Sequence, residues 1–462
     1  MVYYFFMKIY NFLIVFFLLF LIASFIYSQD TTNQNLDFDV IKAKYMDVNV
    51  LIEIPIYINS YSPNSTFILK TPVFIDTRTQ KVDLEAYYYE DNQKIFAVFE
   101  EDELENKYAI FEINDINKNS YSFFIDARII SENKVVLSPE TYDISEAIFE
   151  YENYKLPTRY INSDKSEIIS ISNFLKKSNN SLEEITKIIN WTYNYLEYDE
   201  SYADRIVEAT NVLSERRGVC SEYSILAASI LRERGFPTRY VTGFANSTIE
   251  WQAHAWLEVY VPTQGWIPVD PTFGEVAFVD ASHLLISRAL DPFDIKDRIT
   301  TYGDVSLIFG EKVVDIKINE QKRFSDLGYE NAVSVELTYP DKIKEDSAFF
   351  INKKIRNTTS RPIIITFILQ LHNDFKLIYP ESSKNIIYLK PFEEKEINYY
   401  VLSENVSVPL NYISIYPFNL ISQISDYSGE LNIYKNDGYF QEAFFVNSPL
   451  FYFKDDLLYL EM

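Results

Sequence analysis

The sequence predicts an α+β core flanked by two all-β, sandwich-type domains, with an apolar helix ahead of them. Three observations carry this. Short runs rich in β-branched and aromatic residues, punctuated by Asn, Asp, Ser and Pro, fill residues 36–155 and return over 305–450. Between them, residues 156–295 show apolar residues at helical spacing and then strand patterns. Residues 1–28 hold one charge, Lys8, ahead of an apolar run from Ile9 to Tyr27.

That run is about 19 residues long, enough to cross a bilayer, and reads as an export signal or, by preference, an amino-terminal membrane anchor. Ser28 could close a cleavage site, but Ile26 is bulky where a small residue is preferred. Lys8 on the short side orients the bulk of the chain outward, so an extracytoplasmic protein is expected, secreted if the segment is cut. The 462 residues exceed one hydrophobic core, and 47% hydrophobic with 16% aromatic residues excludes a disordered chain. A net charge of −25 leaves no basic footprint for nucleic acid, and the acidic side chains read as a solvated surface.

The 36–155 region contains neither histidine nor cysteine, so recognition or spacing is its expected role. From Leu156-Pro157 onward the texture changes. Residues 166–178 and 181–198 are periodic at helical spacing, the second behind a Ser181/Glu184 capping box. Trp191, Tyr195 and Tyr198 near its end form a stripe that lines a core or a cleft.

The only cysteine, Cys220, opens a third apolar helical run, which Gly235 and Pro237 end. All four tryptophans lie in or just before the 218–272 stretch, as do several of the ten glycines. A lone cysteine in an exported chain is an intermolecular link, an inert buried hydrophobe or a reactive thiol. Here the third reading leads, because a helix amino terminus favours thiolate over thiol and offers N–H groups to an oxyanion. His254 and Asp270 follow on two strand-like runs joined across Pro262–Gly265. Thiol, imidazole and carboxylate are the three parts of a nucleophilic acyl-transfer site. Register decides whether they meet. With Glu258 opposite Pro268 and Trp256 opposite Asp270, the carboxylate lies diagonally beside His254; one residue of slip sends it to the other face.

The segments RRGVCSEYSILAASILRERGFPTRYVTGF and HAWLEVYVPTQGWIPVDPT resemble the transglutaminase-like superfamily of papain-like fold, over residues 160–290. The resemblance implies Cys220 as nucleophile, His254 as general base and acid, Asp270 as orienting carboxylate, and acyl transfer at amide bonds: hydrolysis, deamidation or crosslinking. It implies a protein or peptide substrate. For the oxyanion, the backbone N–H of Cys220 is the expected donor.

Past residue 305 the strand pattern resembles an immunoglobulin-type domain. His372 lies there without an evident partner, and His283, a rival to His254, lacks its strand and Asp-Pro context. No P-loop, GxGxxG, cysteine pair or HExxH occurs, so no cofactor or metal site is expected, and the scattered acidic residues show no EF-hand spacing. Five Asn-X-Ser/Thr sequons, at Asn64, Asn179, Asn246, Asn357 and Asn405, carry little weight in an Asn-rich chain. The expected function is therefore a membrane-tethered cysteine enzyme that favours peptide hydrolysis. Its rival is a non-catalytic surface scaffold that keeps the fold for binding.

Overall fold

The computed structural model describes residues 43–133, 137–138, 151–246, 250–294, 296–323, 332–380, 382–404, 406–410 and 412–435, and the backbone of strands at 442–445, 450–454 and 457–461. The apolar segment at 1–28 lies outside these residues, as does most of 134–150 at the end of the first strand-rich region. Among the described residues, no helix is long and apolar enough to cross a membrane.

The first sandwich is built on a 19-residue strand, Ala43–Tyr61, whose alternating Val48, Val50, Ile52, Ile54 and Ile56 face the core while intervening side chains reach its surface. One edge of that strand pairs with Ser120–Glu132, which continues to Gln80–Glu90. Its other edge takes Val305–Phe309 and Val313–Arg323. The facing sheet runs Arg298–Tyr302, Thr66–Val73, Lys107–Ile113, Val98–Glu101. Residues 305–323, expected at the head of the carboxyl-terminal domain, thus pair into the amino-terminal one. A strand that long has two edges to satisfy, and only a distant segment was left to cover the second.

The second sandwich packs the sheet Val333–Thr338, Ala348–Asn357, Glu394–Leu402, Lys376–Tyr379 on a sheet that contains Ile363–Gln370, Lys384–Leu389, Tyr412–Ser422 and Tyr427–Tyr434. Ile351, Ile355, Tyr399 and Val401 meet Phe367, Leu369, Phe418 and Leu420 in its core. His372 sits in this domain, where its Nδ1 accepts from the Asp374 N–H at 3.1 Å.

Between the sandwiches lie helices α1 (Ser166–Phe174), α2 (Ser181–Tyr195), α3 (Ala209–Glu215) and α4 (Cys220–Glu233), then strands β1 (Thr238–Asn246), β2 (Trp251–Val261), β3 (Gly265–Asp270), β4 (Glu275–Val276) and β5 (Leu284–Ala289). The strands form one antiparallel sheet of order β4-β3-β2-β1-β5. The α2 cap is one residue earlier than the sequence suggests: the Asn180 side chain accepts from Glu183 N–H at 3.0 Å. Glu184 is turned inward instead, to the buried Arg234 guanidinium at 3.2 Å.

Helix α4 is buried along nearly its whole length against α1, α2, α3, β1 and β2. Ile225, Leu226, Ile230 and Leu231 have no exposed surface, which is what a central helix in an α+β layer requires. It ends as expected: Gly235 takes φ +88°, its N–H bonds Arg232 O at 2.9 Å, and Phe236 N–H bonds Leu231 O at 3.0 Å. Arg232, also buried, donates to the carbonyls of Leu156, Thr238 and Leu290 and so ties the helix to the chain on either side.

Candidate active site

Cys220 is the first residue of α4 and is partly exposed, so its sulfur stands at the positive end of the helix dipole with access to solvent. The preceding turn is fixed by Glu222, whose carboxylate accepts from Val219 N–H at 3.1 Å. Strand register matches expectation: Glu258 pairs with Pro268 and Val261 with Gly265. His254 on β2 consequently reaches Asp270 at the end of β3, with Nε2 to Oδ2 at 2.7 Å. The Cys220 side chain is among the groups that act on the His254 imidazole, so the thiol at the head of α4 stands near that ring. His254 and Asp270 are thus in hydrogen-bond contact, with Cys220 close by.

The electrostatics follow from burial and charge. Burial disfavours a charge on His254, but the carboxylate of Asp270 and the Cys220 sulfur, with their hydrogen bonds, outweigh it and push the imidazole up to about 10. Burial likewise opposes ionisation of Asp270. The charge of His254, its hydrogen bond and that of His283 overcome it and hold the carboxyl well below the usual range. Asp270 Oδ1 accepts in addition from the N–H groups of Thr272 at 2.6 Å and Phe273 at 3.0 Å.

Around the histidine the walls are aromatic. Phe273 stacks on the His254 ring at 4.7 Å and Trp256 lies nearly parallel to it at 6.0 Å. Gly243, opposite His254 on β1, permits this: a Cβ there would stand 1.9 Å from Leu284 O and 2.9 Å from the Trp256 ring. Tyr198 lies across a parallel bridge from Gly218, two residues before Cys220; burial first, then the charge of Cys220, raises its hydroxyl above the usual range. Trp191 and Tyr195 instead stack on one another at 4.4 Å and pack against the core.

Sequence reasoning missed the place of His283. Its Nε2 reaches Asp270 Oδ2 at 3.0 Å, the same oxygen that His254 takes, and its ring meets His254 edge-on at 5.5 Å. It also missed the ion pairs across β1, β2 and β5: the half-buried Glu258 takes Arg239 at 2.6 Å and Arg288 at 2.9 Å.

Two groups of three donors among the described residues are close enough to hold a cation: His254, Asp270 and His283, and Glu275, Asp280 and His283. In the first, Asp270 is already filled by two imidazoles and two backbone N–H groups. In the second, burial first and then the charge of Asp280 push Glu275 well up, and burial pushes Asp280 up to about 6 against the lowering charge of His283. Neither set suits a metal: the first is saturated by hydrogen bonds, and the carboxyls of the second are held towards their neutral forms.

Residues 170–271 match the model of the transglutaminase-like superfamily. This segment is a transglutaminase-like domain. An uncharacterised protein of Mycobacterium leprae is 26% identical over 124 residues, which covers 25% of this chain and 43% of that protein. A protein-glutamine gamma-glutamyltransferase of Pseudomonas aeruginosa is 37% identical over 68 residues, 13% of this chain and 10% of that enzyme. The chain thus spans less than half the length of either relative. Among solved structures, a Cytophaga hutchinsonii protein provisionally described as a cysteine protease aligns with TM-score 0.44 and 19% identity, over 60% of this chain and 92% of that one.

Proposed function

We propose that the chain is a cysteine acyl-transfer enzyme acting on amide bonds of a protein or peptide, with Cys220 as nucleophile, His254 as base and acid, and Asp270 as the orienting carboxylate. The observation that supports this is the buried His254–Asp270 pair at 2.7 Å, with the Cys220 thiol near its imidazole, in one transglutaminase-like domain.

In the first half-reaction Cys220 Sγ, as thiolate, attacks the substrate carbonyl carbon and a C–S bond forms. The oxygen that gains the electron pair is met by the Cys220 N–H at the head of α4. The His254 imidazolium passes its Nδ1 proton to the departing nitrogen, the C–N bond breaks, and a thioester and free amine result. Water then gives a proton to Nδ1 as it attacks the thioester, and the acid leaves with Sγ restored as thiolate. Asp270 keeps Nε2 protonated throughout, which forces the working lone pair onto Nδ1.

Hydrolysis is the favoured outcome, since water needs no second groove. Transfer to an amine is the second reading, because the matched Pseudomonas relative bears that activity in its name. Incubation of the folded chain with a glutamine-containing peptide and a primary-amine probe, wild type against Cys220→Ala, separates them. New amino termini mark a peptidase, ammonia alone a deamidase, probe incorporation a transferase. Wild type and variant indistinguishable in all three would defeat the proposal. The apolar run from Ile9 to Tyr27 supports an extracytoplasmic, membrane-tethered location, which fractionation and protease accessibility of cells would test.

A further inference from the structure

Asp270 presents its carboxylate to four donors. Oδ1 is filled by two backbone N–H groups, and Oδ2 by Nε2 of His254 at 2.7 Å and Nε2 of His283 at 3.0 Å. A carboxylate offers about four lone-pair sites, so this buried anion is saturated without water. His283 fills the last site and comes from outside the β2-β3 hairpin.

We propose that His283 is a positioning residue for the acyl-transfer site, whose Nε2–H shares Asp270 Oδ2 with that of His254 and so fixes the orientation of the His254 ring towards Cys220. The proposal rests on the assignment of Cys220 and His254 made above.

Three observations carry it. First, both imidazoles use the same nitrogen on the same oxygen, so the two N–H groups divide its two lone pairs; without His283, Oδ2 would keep an unfilled lone pair where nothing is exposed to water. Second, His283 itself is held on several sides. Its ring lies edge-on to Trp256 at 5.2 Å and to Phe273 at 5.4 Å, and Gln80 of the first sandwich bonds both N–H and C=O of Leu285 two residues on. Third, the Asp270 contact is the ring's one hydrogen bond: Nδ1 is buried, has no hydrogen-bond partner, and stands 3.9 Å from Asp280 Oδ1. The titratable groups that face this ring are Asp270, His254 and Asp280, with Glu275 behind Asp280.

The test uses two substitutions and no substrate. His283→Phe keeps a ring and removes the donor; His283→Gln keeps an N–H at about the reach of Nε2. The rate of Cys220 alkylation by iodoacetamide at pH 7 should fall about tenfold in the Phe variant and return to within about threefold of wild type in the Gln variant. Side-chain 15N NMR of the wild type at pH 7 should show His283 Nε2 protonated. A Phe variant that alkylates at the wild-type rate overturns the proposal. So do Phe and Gln variants slowed equally and in step with a lowered Tm, which would mark a merely structural histidine, or an NMR signature of a His283 Nε2 without its proton. Should the Cys220–His254 assignment itself be wrong, His254→Ala will leave alkylation unchanged as well, while His283 Nε2 still reads as protonated.

Discussion

The two sides of the site are built differently. The thiol side is one contiguous helix: α4 begins at Cys220, is capped by its own Glu222 and stopped by its own Gly235. The carboxylate side is assembled from afar. The turn after Asp270 is tied by the second sandwich, where Lys384 donates to Phe273 O at 2.5 Å and Thr366 to Gly274 O at 2.7 Å. The strand after His283 is tied by the first sandwich, through Gln80 on Leu285 and Asn106 on Arg288. Local helix geometry suffices to present a sulfur, but a buried anion between two histidines needs a rigid frame, and the flanking domains supply it.

Substitutions on each side should expose this asymmetry. Cys220→Ala removes the nucleophile and should lower kcat by at least about 10⁴-fold with the melting temperature nearly unchanged, as steady-state kinetics and calorimetry would show. Asp270→Asn should cost about 10³- to 10⁴-fold in kcat. It should also reshape the pH profile. His254 is raised to about 10 despite burial because the Asp270 charge favours the imidazolium. A raised group holds its proton up to that value, so wild-type activity that needs the imidazolium should persist to about pH 10 and fall above it. In the Asn variant that fall should come at lower pH.

Next comes the sheet between the two sides. Glu258→Ala strands Arg239 and Arg288 with little exposure, their remaining carboxylate being the largely exposed Glu105. A loss of about 3–5 kcal/mol in urea unfolding is expected. The smallest effect should come from the frame: Thr366→Val deletes one hydrogen bond to the Asp270 turn and should cost about 1 kcal/mol, with a kcat loss of a few-fold and no change in Cys220 alkylation. If Thr366→Val instead matched Asp270→Asn, the frame would be more than support.

The same division explains what was legible in the sequence. The α4 boundaries, the β2-β3 register and the His254–Asp270 contact follow from local signals: an apolar stripe, a glycine stop, alternation with a short turn. His283 was not legible, because it returns to Asp270 through an irregular stretch, 272–283, with no periodicity to count. Nor was the pairing of Val313–Arg323 with Ala43–Tyr61, about which strand propensity is silent across so long a separation. The α2 cap was misplaced by one residue because Glu184, which fits a capping box, is used in a buried ion pair. Asn357, one of the five sequons, proves fully buried and bonded to the Arg361 and Lys390 carbonyls, which removes it as an acceptor in the folded chain.

What most directly tests the account is the second-order rate of iodoacetamide with Cys220 at pH 7, wild type against His254→Ala. A thiolate maintained by the imidazolium should react at least about tenfold faster in the wild type. Equal rates in the two proteins would mean that the imidazole does not act on the sulfur, and the acyl-transfer mechanism would be contradicted.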